Sequence, residues 1–178
     1  PLQALTPAAL VAAVPGTTLA EARKVVAMVH RGEAVAASSF VRRCTAEAIA
    51  AVGSVPRLEV REIRASAVDP FVKYALVTAD QLAIEMVRIP LERAARFSVC
   101  VSSQVGCALA CAFCATGRLG LARNLETWEI VDQLRIARDG LPAGGRIHGV
   151  VFQGMGEPLA NLDAVIETIA IASEPSAF

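Results

Sequence analysis

Three cysteines, Cys107, Cys111 and Cys114, stand in the spacing C-x3-C-x2-C. A fourth, Cys100, lies seven residues before them, and Cys44 is far away. A [4Fe–4S] cluster has four irons and usually takes four thiolates. Three thiolates on one loop can hold three corners and leave the fourth iron open to a small molecule. S-adenosylmethionine (SAM) can chelate such an iron through its amino and carboxylate groups, and an electron from the cluster can then cleave its sulfonium bond. The spacing alone leaves two other readings open. Structural zinc wants four ligands, usually in C-x2-C pairs; the only downstream histidine, His148, falls in a strand pattern, and Cys100 falls on the strand before the loop. Cysteine is also a common small core residue without any ligand.

Composition narrows the setting. The chain has 178 residues, 17 basic and 17 acidic, and no net charge, so nothing in it advertises a basic nucleic-acid face. Fifteen of the basic residues are Arg. Arg suits bidentate phosphate contacts, although a GC-rich genome explains the same bias. It is 54% hydrophobic, ample for a core. Arg or Glu interrupts every long apolar stretch, so no run of about 18 apolar residues marks a membrane span. The opening PLQALTPAAL lacks the basic start of a secretory signal. Four cysteines within fifteen residues look like metal or redox chemistry rather than a disulfide scaffold. We expect a cytoplasmic protein.

The elements that must position these cysteines are legible in part. Thr6-Pro7 reads as an N-cap followed by proline at the first helical position. Thr18 to Glu21 fits a capping box, with Leu19, Ala22, Val25, Val26 and Val29 at helical spacing and Gly32 closing the helix. A further helix is expected over 39–52. After Pro56 the pattern alternates over 57–63, as in a half-exposed strand. Residues 71–78 and 82–89 are two more strands joined near Ala79-Asp80. In the second, Leu82, Ile84 and Met86 share one face, while Glu85 sits on the other beside Val87 and Ile89. Pro90 is expected to end that strand, ahead of a charged connector over 91–96. Residues 97–101 read as a buried strand leading into the cysteine loop. A helix opened by Glu126-Thr127, a Gly/Pro-rich loop over 140–145, a strand over 147–152, the sequence GMGEP at 154–158 and a helix over 162–172 follow. Strand, helix, strand, helix predicts right-handed βα units on a parallel sheet.

The segment CVSSQVGCALACAFCATG at 100–117, with Arg123-Asn124-Leu125 and then GMGEP, resembles the radical SAM RNA methyltransferases. That family methylates C2 of an adenine in 23S rRNA and in some members tRNA; a related group methylates C8 and confers antibiotic resistance. The resemblance runs from about Leu82 onward and more loosely before it. It implies an α/β fold: the start of a partial (βα) radical SAM barrel over 97–178, preceded by a helical accessory domain over 1–54 and a short antiparallel β segment over 55–96. It implies Cys107, Cys111 and Cys114 as ligands of a [4Fe–4S] cluster. It also implies Gly156 and Glu157 as SAM contacts, with Phe113 packed near the SAM adenine; ordinary core packing is the alternative for Phe113. Glu85 would be the proton acceptor, its pKa raised by burial, although a Glu on an exposed strand is the commoner case.

Cys100 would be the resolving thiol. In the family a second, C-terminal cysteine carries a methyl group from one SAM, a radical from another activates it, and the carbon attacks the adenine. Cys100 then releases the RNA by forming a transient disulfide with that cysteine. The 178 residues hold no such cysteine after Cys114. With Pro1 in place of Met and only two βα units, this leads us to expect an N-terminal piece of a longer enzyme, inactive alone. RNA, an electron donor such as flavodoxin, and a monomeric state complete what the resemblance implies. A radical SAM enzyme with a non-RNA substrate and a zinc-stabilised RNA-binding module are the competing readings. Arg42, Arg43, Arg57, Arg61 and Arg64 are RNA-contact candidates that form no clear stripe.

Overall fold

The computed structural model describes all of residues 1–178 and divides into two compact units. One comprises residues 1–56 with 166–178, the other residues 57–165.

The first unit is helical. Helix α1 (Pro7–Ala13) starts at Thr6, whose hydroxyl accepts from the Ala9 amide. Helix α2 (Leu19–Arg31) carries the expected capping box and buries Ala22, Val25, Val26 and Val29. Helix α3 (Arg43–Val52) begins four residues later than the pattern suggested. The reason is Glu21. Its carboxylate accepts from the Arg42 main-chain amide at 3.1 Å and pairs with the Arg42 side chain at 2.8 Å, holding Arg42 outside the helix as its N-cap. Glu21 also accepts from the Thr18 amide and from the Thr18 and Thr45 hydroxyls.

The Arg42 guanidinium, then the Thr18 amide, hold the Glu21 carboxyl far below the usual carboxylate range. A depressed folded-state pKa stabilises above the unfolded value, about 4.3, and that contribution is lost as pH falls through the folded value. Glu21→Gln removes the contribution at every pH. Thermal unfolding should therefore show the unsubstituted protein more stable at pH 7, with the gap to Glu21→Gln narrowing below about pH 4.3. A gap that widens in acid would contradict this.

The second unit is built on a five-stranded sheet. Strands β1 (Glu59–Ala65), β2 (Val72–Val77), β3 (Ala83–Pro90) and β4 (Arg96–Cys100) pair antiparallel in sequence. Strands β5 (Gln104–Gly106) and β6 (Leu121–Asn124) form a separate hairpin. Helix α4 (Thr127–Asp139) crosses over to β7 (Arg146–Val151), which lies parallel to β4, giving the order β1-β2-β3-β4-β7. Helix α5 (Leu162–Ala172) follows, its last residues belonging to the helical unit. The fold is thus mixed α/β with an open sheet. The antiparallel strands share one sheet with the parallel pair. Pro90 ends β3, as expected, and pairs in register with Phe97.

Tyr74, Leu76, Ile84, Met86 and Val99 fill one face of the sheet, each at most 2% exposed. Beside them Arg88 donates to the Tyr74 hydroxyl and the Gly140 carbonyl. Helix α4 is buried nearly all round. Its polar residues are therefore partnered. Asp132 accepts from the Leu58 amide and pairs with Arg57 and Arg135, while burial pushes its carboxyl up. Gln133 bonds the Ser102 main chain at both its amide and its carbonyl. No helix is long and apolar enough to cross a membrane.

Candidate functional site

The β5–β6 hairpin carries the cysteines. Its strands pair Gln104 with Asn124 and Val105 with Arg123, and the Cys107 amide donates to the Gly120 carbonyl at 2.9 Å, closing a loop over 107–120. Within the loop the Cys114 amide donates to the Cys111 carbonyl, and a 3-10 turn spans Thr116–Arg118. Cys107 is buried, whereas Cys111 and Cys114 are half-buried. All five cysteines are free thiols. Main-chain amides of Gly117 and Thr116 draw the Cys114 thiol below its ordinary value, toward the thiolate that ligates metal. The structure does not gather the three sulfurs into a metal-holding group. The donor set nonetheless fits an iron–sulfur cluster by its chemistry: three free thiols on one loop, two of them half-buried. Phe113 is 92% exposed.

The GMGEP turn leaves the carboxyl end of β7, beside the end of β4. Its main chain is stitched to residues 102–104: the Ser103 and Gln104 amides donate to the Met155 carbonyl, and the Met155 amide donates to the Ser102 hydroxyl. Gly156 has φ +102°, and a Cβ there would stand 2.6 Å from the Gln104 Cβ. Glu157 turns its carboxylate onto the Leu159 amide at 3.0 Å, opening the 3-10 turn Pro158–Asn161.

Glu85 and Cys100 lie on the sheet face opposite the packed one. Glu85 pairs in register with Ala75, and Val87 with both Lys73 and Cys100. Glu85 is therefore a diagonal neighbour of Cys100 across β3 and β4, a relation that puts such residues about 7–8 Å apart. The burial expected for Glu85 is absent: 47% of its side chain is exposed, and it pairs with Lys73 at 2.7 Å. Strand β2 presents Lys73 and Ala75 on this face, so Glu85 lines a shallow pocket of about 90 Å³ with Glu62, Arg64, Lys73 and Ala75. Cys100 is half-buried. Burial pushes its thiol up, against a hydrogen bond from the Gln153 amide.

Sequence reasoning passed over the residues that hold these pieces together. Arg123 reaches both Asp80, in the β2–β3 turn, and the buried Glu129 of α4, each at 2.8 Å. Both carboxylates push its guanidinium further up. Asn161 donates to the Ser103 and Leu125 carbonyls at 2.8 Å. The motif Arg123-Asn124-Leu125 was in view as text, but no periodicity tells which element each residue reaches.

No protein-family model matches the chain. A probable RNA methyltransferase of Sorangium cellulosum is 58% identical over 168 residues, covering 91% of this chain and 43% of that protein. A probable RNA methyltransferase of Anaeromyxobacter is 42% identical over 90% of this chain and 47% of its own length. The dual-specificity RNA methyltransferase RlmN of Syntrophobacter fumaroxidans is 51% identical over 58% of this chain and 30% of its own. The crystal structure of a radical SAM methyltransferase from Sphaerobacter thermophilus superposes with a TM-score of 0.79 at 33% identity, covering 98% of this chain and 52% of that one. The chain spans less than half the length of these curated relatives. It is homologous to the radical SAM RNA methyltransferases over that part of their length.

Proposed function

We propose that the chain is part of a radical SAM methyltransferase that modifies an adenine of RNA, in 23S rRNA or tRNA, through a methyl-cysteine intermediate. On this reading residues 97–178 begin a partial (βα) barrel, with the helical residues 1–54 and the strands of 55–96 ahead of it. One observation carries the proposal. The chain segment that bears the cysteine hairpin follows the carboxyl end of β4, and the Gly156–Glu157 turn follows that of the adjacent parallel strand β7, the end at which open α/β sheets bind ligands.

Cys107, Cys111 and Cys114 would hold a [4Fe–4S] cluster, which supplies the one-electron chemistry that cleaves SAM. Gly156 would let the main chain approach SAM closely, and Glu157 would accept from its ammonium. Phe113, already exposed, would lie against its adenine. Glu85 would accept the proton lost from the adenine carbon, its carboxylate steadied by Lys73. Cys100 would attack as a thiolate and free the RNA, forming a disulfide with the methyl-carrying cysteine. No cysteine follows Cys114, so that partner lies outside these residues, and the 178 residues alone would not turn over. The enzyme would work in the cytoplasm as a monomer with a flavodoxin-like electron donor.

Anaerobic reconstitution with iron and sulfide, followed by reduction and EPR spectroscopy, tests the cofactor part. The expected result is a [4Fe–4S]⁺ signal that changes when SAM is added. Zinc near one per chain, without sulfide, would overturn the reading in favour of a zinc-stabilised module.

A further inference from the structure

Gln104 is 1% exposed, and both ends of its amide are engaged. Its Oε1 accepts from the Glu157 main-chain amide at 2.8 Å, and its Nε2 donates to the Asn124 Oδ1 at 2.7 Å. Asn124 in turn donates to the Ala160 carbonyl at 3.2 Å. The stem of Gln104 lies against Gly156, where any Cβ would collide with it. Thus one buried side chain touches the hairpin that carries the cysteines and the turn that carries Gly156 and Glu157. Only an amide offers an acceptor and a donor side by side at this length. Leucine offers neither, and an ionised glutamate offers acceptors only.

We propose that Gln104 is a positioning residue, which holds the main chain at Glu157 in fixed register with the cysteine hairpin. The consequence for ligand binding rests on the function proposed above: the cluster loop and the SAM-contacting turn would form one preformed site. Binding then does not have to bring the two loops together, and that preorganisation raises affinity.

The test compares the unsubstituted chain with Gln104→Leu, Gln104→Glu and Asn124→Ala. Amide exchange followed by NMR, without cofactors, reads the register directly. Gln104→Leu should speed exchange at Glu157 by about tenfold, the loss expected for one hydrogen bond with its partner left unsatisfied. Gln104→Glu keeps the acceptor and should restore most of the protection. Asn124→Ala leaves the buried stem in place, folds if Gln104→Leu does not, and should speed exchange at Glu157 by a smaller factor. After reconstitution, Gln104→Leu should bind iron and sulfide as before while the SAM concentration that shifts the EPR signal rises about tenfold. Unchanged exchange at Glu157 in the folded variants would overturn the positioning role. So would a loss of iron equal to the loss of SAM response. If the unsubstituted chain assembles no iron–sulfur cluster, the proposed function fails, and exchange at Glu157 still decides for or against Gln104.

Discussion

Alanine at Cys107, Cys111 or Cys114, one at a time, is expected to abolish the reduced iron–sulfur EPR signal and to bring bound iron from about four per chain to near zero. With three thiolates available, the cluster already uses a minimal protein set, and two cannot hold the cube. Cys100→Ala and Cys44→Ala should retain full iron, because Cys100 sits on β4 and Cys44 on α3, and neither belongs to the loop. The contrast separates ligands from bystanders without any assay of RNA. The fold should survive each substitution. What closes the loop is main chain, the Cys107 amide on Gly120 and the Cys114 amide on Cys111. Only Cys107 is buried, so its replacement should cost about 1 kcal/mol and the other two less. Iron retained in all three variants would remove the radical SAM reading at its base.

How much of this was legible in the sequence depended on the range of the interactions. The capping box at Thr18 and Glu21 is local, and it forms as the spacing predicts. The same Glu21 also reaches Arg42 across twenty-one residues, and that contact, invisible to periodicity, moved the start of α3. The two faces of β3 followed from alternation, and Ile84 and Met86 are buried on one of them. What alternation lacked was the partner strand: Lys73 on β2 leaves Glu85 half-exposed in an ion pair rather than enclosed. The β5–β6 hairpin was read as loop because strands of three and four residues are too short to show a period. In α4, Asp132 and Gln133 are fully buried because each meets main-chain groups of other segments, partners that no local pattern reveals. For the candidate site, residue type and spacing singled out the cysteines and the GMGEP turn. Gln104, Arg123 and Asn161 link those parts through partners as far off as Glu157, Asp80 and Ser103.

Gly106→Ala should be the most damaging single methyl group in this region. Gly106 ends β5 just before Cys107, with φ +79°, and a Cβ there would fall 1.8 Å from the Gly120 carbonyl oxygen. Two costs add. Left-handed backbone costs an L-residue about 1–2 kcal/mol, and forcing the crossing strand away adds about 1–3 kcal/mol of overpacking. Neither neighbour is a flexible side-chain tip; both are main chain, so relief means breaking the bond from the Cys107 amide to Gly120. A total of about 3 kcal/mol corresponds to a Tm lower by roughly 6–12 °C for a chain of this size. Gly120→Ala is the matched control. Its φ is +70°, but a Cβ there meets nothing within 4 Å, so it carries the conformational cost alone, about 1–2 kcal/mol. The difference between the two Tm values isolates the steric contact, and equal losses would mean that the hairpin base yields at little cost. The same pair of variants reaches the cofactor question. Gly106→Ala leaves all three thiols in place yet opens the base of their loop, so on the proposed reading it should lose iron, whereas Gly120→Ala should keep it.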